Sequence, residues 1–91
     1  MQTLKDADDD RFLAAIGMVI AERRLARGLT QQELASSTHL HRAYISDIER
    51  GIRNVGIMTL HRIAASMEIS VSAILDMAQE RMQVGTQKGA V

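Results

Sequence analysis

Apolar residues along this chain recur at three- and four-residue spacing, interrupted at short intervals by capping and turn residues. Phe12, Ile16 and Ile20 fall at i, i+4 and i+8 and predict a first helix, with Asp8, Asp9 and Asp10 supplying a cap and charge that suits a helix N-terminus. The pattern runs to Arg27, and Gly28 stops it as a left-handed residue. Thr30 and Glu33 have the spacing of a capping box, so a second helix begins at Gln31, buries Leu34 and Ala35, and ends near Thr38. A third begins after His41 and runs to Arg50, burying Ile45 and Ile48, with Gly51 ending it. The fourth covers about Ile57 to Met67 through Ile57, Leu60, Ile63, Ala64 and Met67; the fifth starts after Ser70, with Val71, Ile74, Leu75 and Ala78 apolar. No useful stretch alternates with a period of two, and there is no Pro. These patterns predict an all-α domain of five helices over residues 8–81, with mobile segments at 1–7 and 82–91.

At 91 residues the chain is a single domain near the lower size limit for a self-sufficient core, which favours self-association. The lack of Cys removes a disulfide frame and a thiolate metal site, and fits a reducing cytoplasm. Neither a signal-peptide pattern nor an apolar run near the roughly 18 residues of a bilayer span occurs, so a cytoplasmic protein with no membrane partner is expected. Formal net charge is zero, but its distribution is uneven. Residues 1–10 hold Lys5 against four Asp, a net of −3, whereas residues 23–62 hold seven Arg against Glu33, Asp47 and Glu49, a net of +4. Local field rather than the chain total decides where a polyanion docks.

The two short helices over residues 30–51, joined by a tight turn, have the form of a helix-turn-helix, whose second helix is shaped to enter a DNA major groove. Residues 16 to 75 resemble the Cro and lambda-repressor type of this motif, the XRE family. The resemblance rests on the joint spacing of Ile16-Gly17, Ile20, Arg24, the run Gly28 to Ala35, Tyr44-Ile45-Ser46, Ile48-Glu49-Arg50-Gly51, Arg53-Asn54, Leu60, Arg62-Ile63-Ala64 and Ile74-Leu75. Within the family, the run Tyr44 to Val55 looks like the controller proteins of restriction-modification systems, and plain XRE regulators share it.

The resemblance implies a role for each matching position. Gln31, at the N-terminus of the second helix, would hold a phosphate oxygen. Arg42 opens the third helix, where its fork can bridge guanine O6 and N7. Ala43 matches a base-proximal position with only a methyl to offer. Tyr44 would pack its ring and give its hydroxyl to phosphate. Ser46 and Asp47 face the groove side, Asp47 able to accept from cytosine N4 or to repel phosphate. Arg50, Arg53 and Asn54 would clamp the sugar-phosphate backbone, and Arg24 with Glu49 would form a partly buried salt bridge joining the first and third helices. Because one short helix samples few base pairs, a homodimer on a partly palindromic double-stranded operator is expected, its reading helices roughly 34 Å apart. Its interface is expected at Met67, Val71, Ile74 and Met77, and RNA polymerase is the expected further partner in regulating transcription.

The chain departs from the family pattern in three ways. His39 stands where the turn commonly has Gly and so must take positive φ. Val55-Gly56 replaces a usual Pro-Ser or Pro-Thr before the fourth helix, leaving Gly56 as a weak cap. Global basicity is low. No cofactor or enzymatic activity is expected: His39, His41 and His61, with Glu33 or Asp47, have no spacing that fixes them around a metal, and Ser36, Ser37 and Ser46 lack a nucleophile elbow. The rival reading is a protein-interaction module, an antitoxin or adaptor of the same fold, although the tail after Arg81 has no amphipathic stripe for a partner groove.

Overall fold

The computed structural model describes the backbone of residues 2–90 and the side chains of residues 7–83. It contains five helices, α1 (Gln2–Ala26), α2 (Gln31–Thr38), α3 (Arg42–Glu49), α4 (Ile57–Ser66) and α5 (Val71–Ala90), and no strand among the described residues. The outer helices are longer than expected. Asp8, Asp9 and Asp10 lie inside α1 and do not cap it, because no Gly or Pro precedes them to halt propagation. They stay exposed on the helix surface. Helical backbone likewise continues in α5 past Arg81. The mobility expected at 1–7 and 82–91 falls mainly on side chains outside the described residues.

The first four helices end in the same way. Gly28, His39, Gly51 and Glu68 each adopt positive φ, at 71°, 59°, 74° and 57°. The residue after each donates its amide to a carbonyl five positions back: Leu29 to Arg24, Leu40 to Ala35, Ile52 to Asp47 and Ile69 to Ala64, at 2.9–3.1 Å. This Schellman arrangement satisfies carbonyls that a helix end otherwise leaves unpaired. His39 takes the predicted left-handed conformation; Glu68 does so too, with no sequence signal marking it.

One core serves all five helices. Ile16, Val19 and Ile20 of α1 meet Leu34 and Ala35 of α2, Ile45 and Ile48 of α3, Leu60, Ile63 and Ala64 of α4, and Ile74 and Ala78 of α5. Full burial of one such Ile or Leu side chain contributes about 1.5–3 kcal/mol. Met67 and Ile74 are 0% exposed within the single chain. They are therefore core residues with no surface to offer a second copy, which corrects the expected interface; Val71 is half-buried and Met77 is 37% exposed. Ile57 is also misplaced by its spacing, being exposed at the first turn of α4. Three- and four-residue periodicity identifies an apolar stripe but not what covers it.

The placement of α3 depends on two close backbone approaches. A Cβ on Gly17 would lie 2.4 Å from the carbonyl oxygen of Ile48 and 2.5 Å from that of Glu49, so α1 and the end of α3 touch main chain to main chain. At the following turn, a Cβ on Gly51 would lie 2.6 Å from Cα of Ala14.

Candidate nucleic-acid interface

Side-chain hydrogen bonds hold α2 at both of its ends. Thr30 Oγ1 accepts from the Glu33 amide at 3.0 Å while Glu33 Oε1 accepts from the Thr30 amide at 2.8 Å, the capping box predicted for α2. At its other end Thr38 is buried, its hydroxyl donating to the carbonyls of Leu34 and Ala35 at 2.8 and 3.1 Å. The chain then enters α3 through His41, whose side chain makes no capping hydrogen bond. Ile45 and Ile48 anchor α3 in the core. With about 3.6 residues per turn, the side opposite them carries Ala43, Ser46, Asp47 and Arg50, with Arg42 at the entering end. Arg42, Ala43 and Arg50 are exposed, and Ser46 and Asp47 half-buried.

Arg24 and Glu49 form the expected bridge between α1 and α3. Arg24 Nε donates to Glu49 Oε2 at 2.7 Å and Nη2 to Oε1 at 3.1 Å, the bidentate fork geometry. The two side chains are only 11% and 6% exposed, and Arg24 Nη1 also donates to the Leu29 carbonyl at 2.8 Å. Hydrogen bonding to Glu49 raises the Arg24 pKa above its ordinary value, against the opposing effect of burial and with the Glu49 charge assisting. The pair fixes the end of α3 against α1 and the loop before α2.

Gln31 belongs to this network. Its Nε2 donates to Glu49 Oε1 at 2.9 Å, and its Oε1 accepts from Arg42 Nη1 at 3.4 Å. The carboxamide expected to hold phosphate is thus engaged within the protein, orienting the residue at the entrance to α3. Asp47 is engaged as well. Its Oδ1 accepts from Arg50 Nη2 at 2.8 Å and its Oδ2 from Arg53 Nη2 at 3.4 Å, while the Arg53 guanidinium lies 4.9 Å from the centroid of the Tyr44 ring. Tyr44 is half-buried and its ring packs on the core, as expected. Asn54 is exposed in the loop beyond. The structure therefore gathers Gln31, Arg42, Tyr44, Asp47, Arg50 and Arg53 on and beside one helix. Sequence reasoning missed the links from Gln31 to Glu49 and from Asp47 to both arginines. The i, i+3 spacing of Asp47 and Arg50 was the one available signal.

Among the described residues no three His, Cys, Asp or Glu side chains converge as a metal-binding group. No helix among them is long and apolar enough to cross a membrane.

The helix-turn-helix family profile matches residues 20–74, which includes α2, α3 and α4. The chain is 38% identical over 61 residues to the control protein C.BamHI of Bacillus amyloliquefaciens, covering 66% of this chain and 75% of that protein. The fold is similar to the clp gene regulator ClgR of Corynebacterium glutamicum, with a TM-score of 0.82 at 25% identity over 87% of this chain and 84% of that one. It is also similar to the restriction-modification controller protein C.Esp1396I, solved as a tetramer in complex with its natural 35 base-pair operator. That likeness has a TM-score of 0.68 at 38% identity over 76% of this chain and 91% of that one.

Proposed function

This chain belongs to the helix-turn-helix family and is a DNA-binding transcriptional regulator, and we propose that it acts as a homodimer that sets one α3 into each of two successive major grooves of a partly palindromic operator. The observation that carries this reading is the outward face of α3. Two buried isoleucines and a bidentate salt bridge hold the helix rigidly, yet Arg42, Ala43 and Arg50 are left exposed on it. Arg42, at the entering end, is assigned to a guanine edge and Ala43 to a thymine methyl, with Ser46 beside them. Arg50, Arg53 and Asn54, with the Tyr44 hydroxyl, are assigned to the sugar-phosphate backbone, where they set register and affinity without reading sequence.

Gln31 takes a different part from the one its position first implied. Held by Glu49 and contacting Arg42, it presents the reading arginine in a restricted geometry. The resemblance to restriction-modification controller proteins supports control of such an operon, with RNA polymerase excluded or assisted at the promoter. The role is non-enzymatic and cytoplasmic.

The test is selection of bound duplexes from a random pool by the purified protein at near-physiological salt, with Arg42→Ala alongside. An enriched inverted repeat with half-sites about ten base pairs apart, lost in the variant, is the expected result. A folded wild-type protein that enriches nothing would refute the reading and favour the protein-interaction module.

A further inference from the structure

Asp47 places a carboxylate on the outward face of a helix assigned to DNA, next to two arginines assigned to phosphate. Both of its oxygens are in use: Oδ1 by Arg50 at 2.8 Å and Oδ2 by Arg53 at 3.4 Å. Arg53 is further held over the Tyr44 ring. The arginine side chains stay 64% and 52% exposed, so the carboxylate grips them without shielding them from an incoming polyanion. The carboxylate thus engages both guanidiniums through the kind of contact that a phosphate makes with arginine.

We propose that Asp47 is a specificity-determining residue that acts by competition, occupying Arg50 and Arg53 in the free protein so that any DNA must displace it before they can clamp the backbone. This rests on the DNA-binding reading above. Displacement leaves the carboxylate facing the groove with no cation of its own. Opposite acceptor base edges and phosphates it is then repelled; opposite an amino donor, the N4 group of cytosine above all, it accepts a hydrogen bond. The cost falls on every sequence and is recovered only where that donor is present, so Asp47 lowers non-specific affinity more than operator affinity. It also accounts for a reading helix that carries an acid when affinity alone would favour a neutral residue.

Each net positive charge that the protein adds against the phosphates steepens the salt dependence of DNA binding by about 0.9 in the log–log slope, and removing one carboxylate adds one such charge. Asp47→Asn keeps the shape and removes the charge. It should therefore tighten binding to a non-specific duplex by about fivefold per protomer at 0.15 M salt, and steepen the slope by about 0.9 per protomer. Operator affinity should rise less or fall, so the ratio of operator to non-specific affinity drops. Kd would be measured for both duplexes across a salt series, with Asp47→Ala as a second variant and circular dichroism confirming the fold of each. If both variants weaken the two duplexes equally, Asp47 is a support that aligns the arginines, and the inference is overturned. Unchanged slopes and unchanged ratios would overturn it as well. A folded wild-type protein that binds neither duplex would remove the DNA-binding reading itself, and this inference with it.

Discussion

Replacing Gly17 by Ala adds one methyl group at the contact that sets the position of α3. The new Cβ would lie 2.4 Å from the Ile48 carbonyl oxygen and 2.5 Å from that of Glu49, both main-chain atoms with no rotamer to change. An ordinary carbon–oxygen contact is about 3.3 Å, so α1 and α3 must separate by roughly 0.9 Å. Overpacking of this kind costs about 1–3 kcal/mol, offset by the roughly 0.5–1 kcal/mol by which Ala is favoured over Gly inside a helix. The expected net loss is about 1–2 kcal/mol, or a Tm lower by about 5–15 °C for a domain of this size. Binding should suffer beyond this, because the displaced element carries Arg42 and the Glu49 end of the salt bridge. Loss of one bidentate base contact is worth about 1–3 kcal/mol. Thermal melting and operator titration of Gly17→Ala would be compared with Ile63→Val, a substitution at a fully buried site of α4 that costs a similar 0.5–1.5 kcal/mol or so. The two variants should lose similar stability while only Gly17→Ala loses more than about tenfold in affinity. A Gly17→Ala protein that melts at or above the wild-type temperature, or binds like the Ile63→Val control, would refute the claim that this backbone contact positions the helix.

Three further perturbations address the network and the turn. Glu49→Ala strands Arg24 at a site where its side chain is 11% exposed, and should cost about 3 kcal/mol in urea unfolding, at the low end for a broken buried pair because the Leu29 carbonyl remains as an acceptor; a loss under about 0.5 kcal/mol, the level of an exposed pair, would contradict the structural role assigned to it. His39→Gly relieves a side chain at φ 59° and should stabilise by about 0.5 kcal/mol, the gain from relieved strain being partly cancelled by the greater unfolded-state entropy of Gly; a lowered melting temperature would count against that turn geometry. Arg53→Ala should weaken all DNA sequences to a similar extent and flatten the salt slope, whereas Arg42→Ala should blur one base position, and selection with both proteins would expose an error in this division if the two patterns proved alike.

Local chemistry made much of this molecule legible. Thr30 with Glu33, Gly28 and Gly51 are short-range signals, and each acts through hydrogen bonds or φ values within a few residues, so the boundaries of α2 and α3 followed from adjacent positions alone. The left-handed conformation of His39 was legible through the family resemblance, which puts Gly at that turn. The pairing of Arg24 with Glu49 came through the family resemblance, since nothing local links residues on separate helices. Periodicity placed Met67 and Ile74 on apolar stripes but could not say whether the chain's own core or a second copy covered them, because burial is a property of the assembled helices. The sequence by itself thus determined that there are five helices, the ends of α2 and α3, and the side of α3 that is apolar. Only the tertiary structure decided that Gly17 brings α1 against the α3 backbone, that Gln31 joins Glu49 to Arg42, and that Asp47 holds Arg50 and Arg53. The first two are contacts between residues far apart in the chain, and the third depends on the loop after α3 folding Arg53 back over Tyr44, so their geometry arises only once the helices have packed.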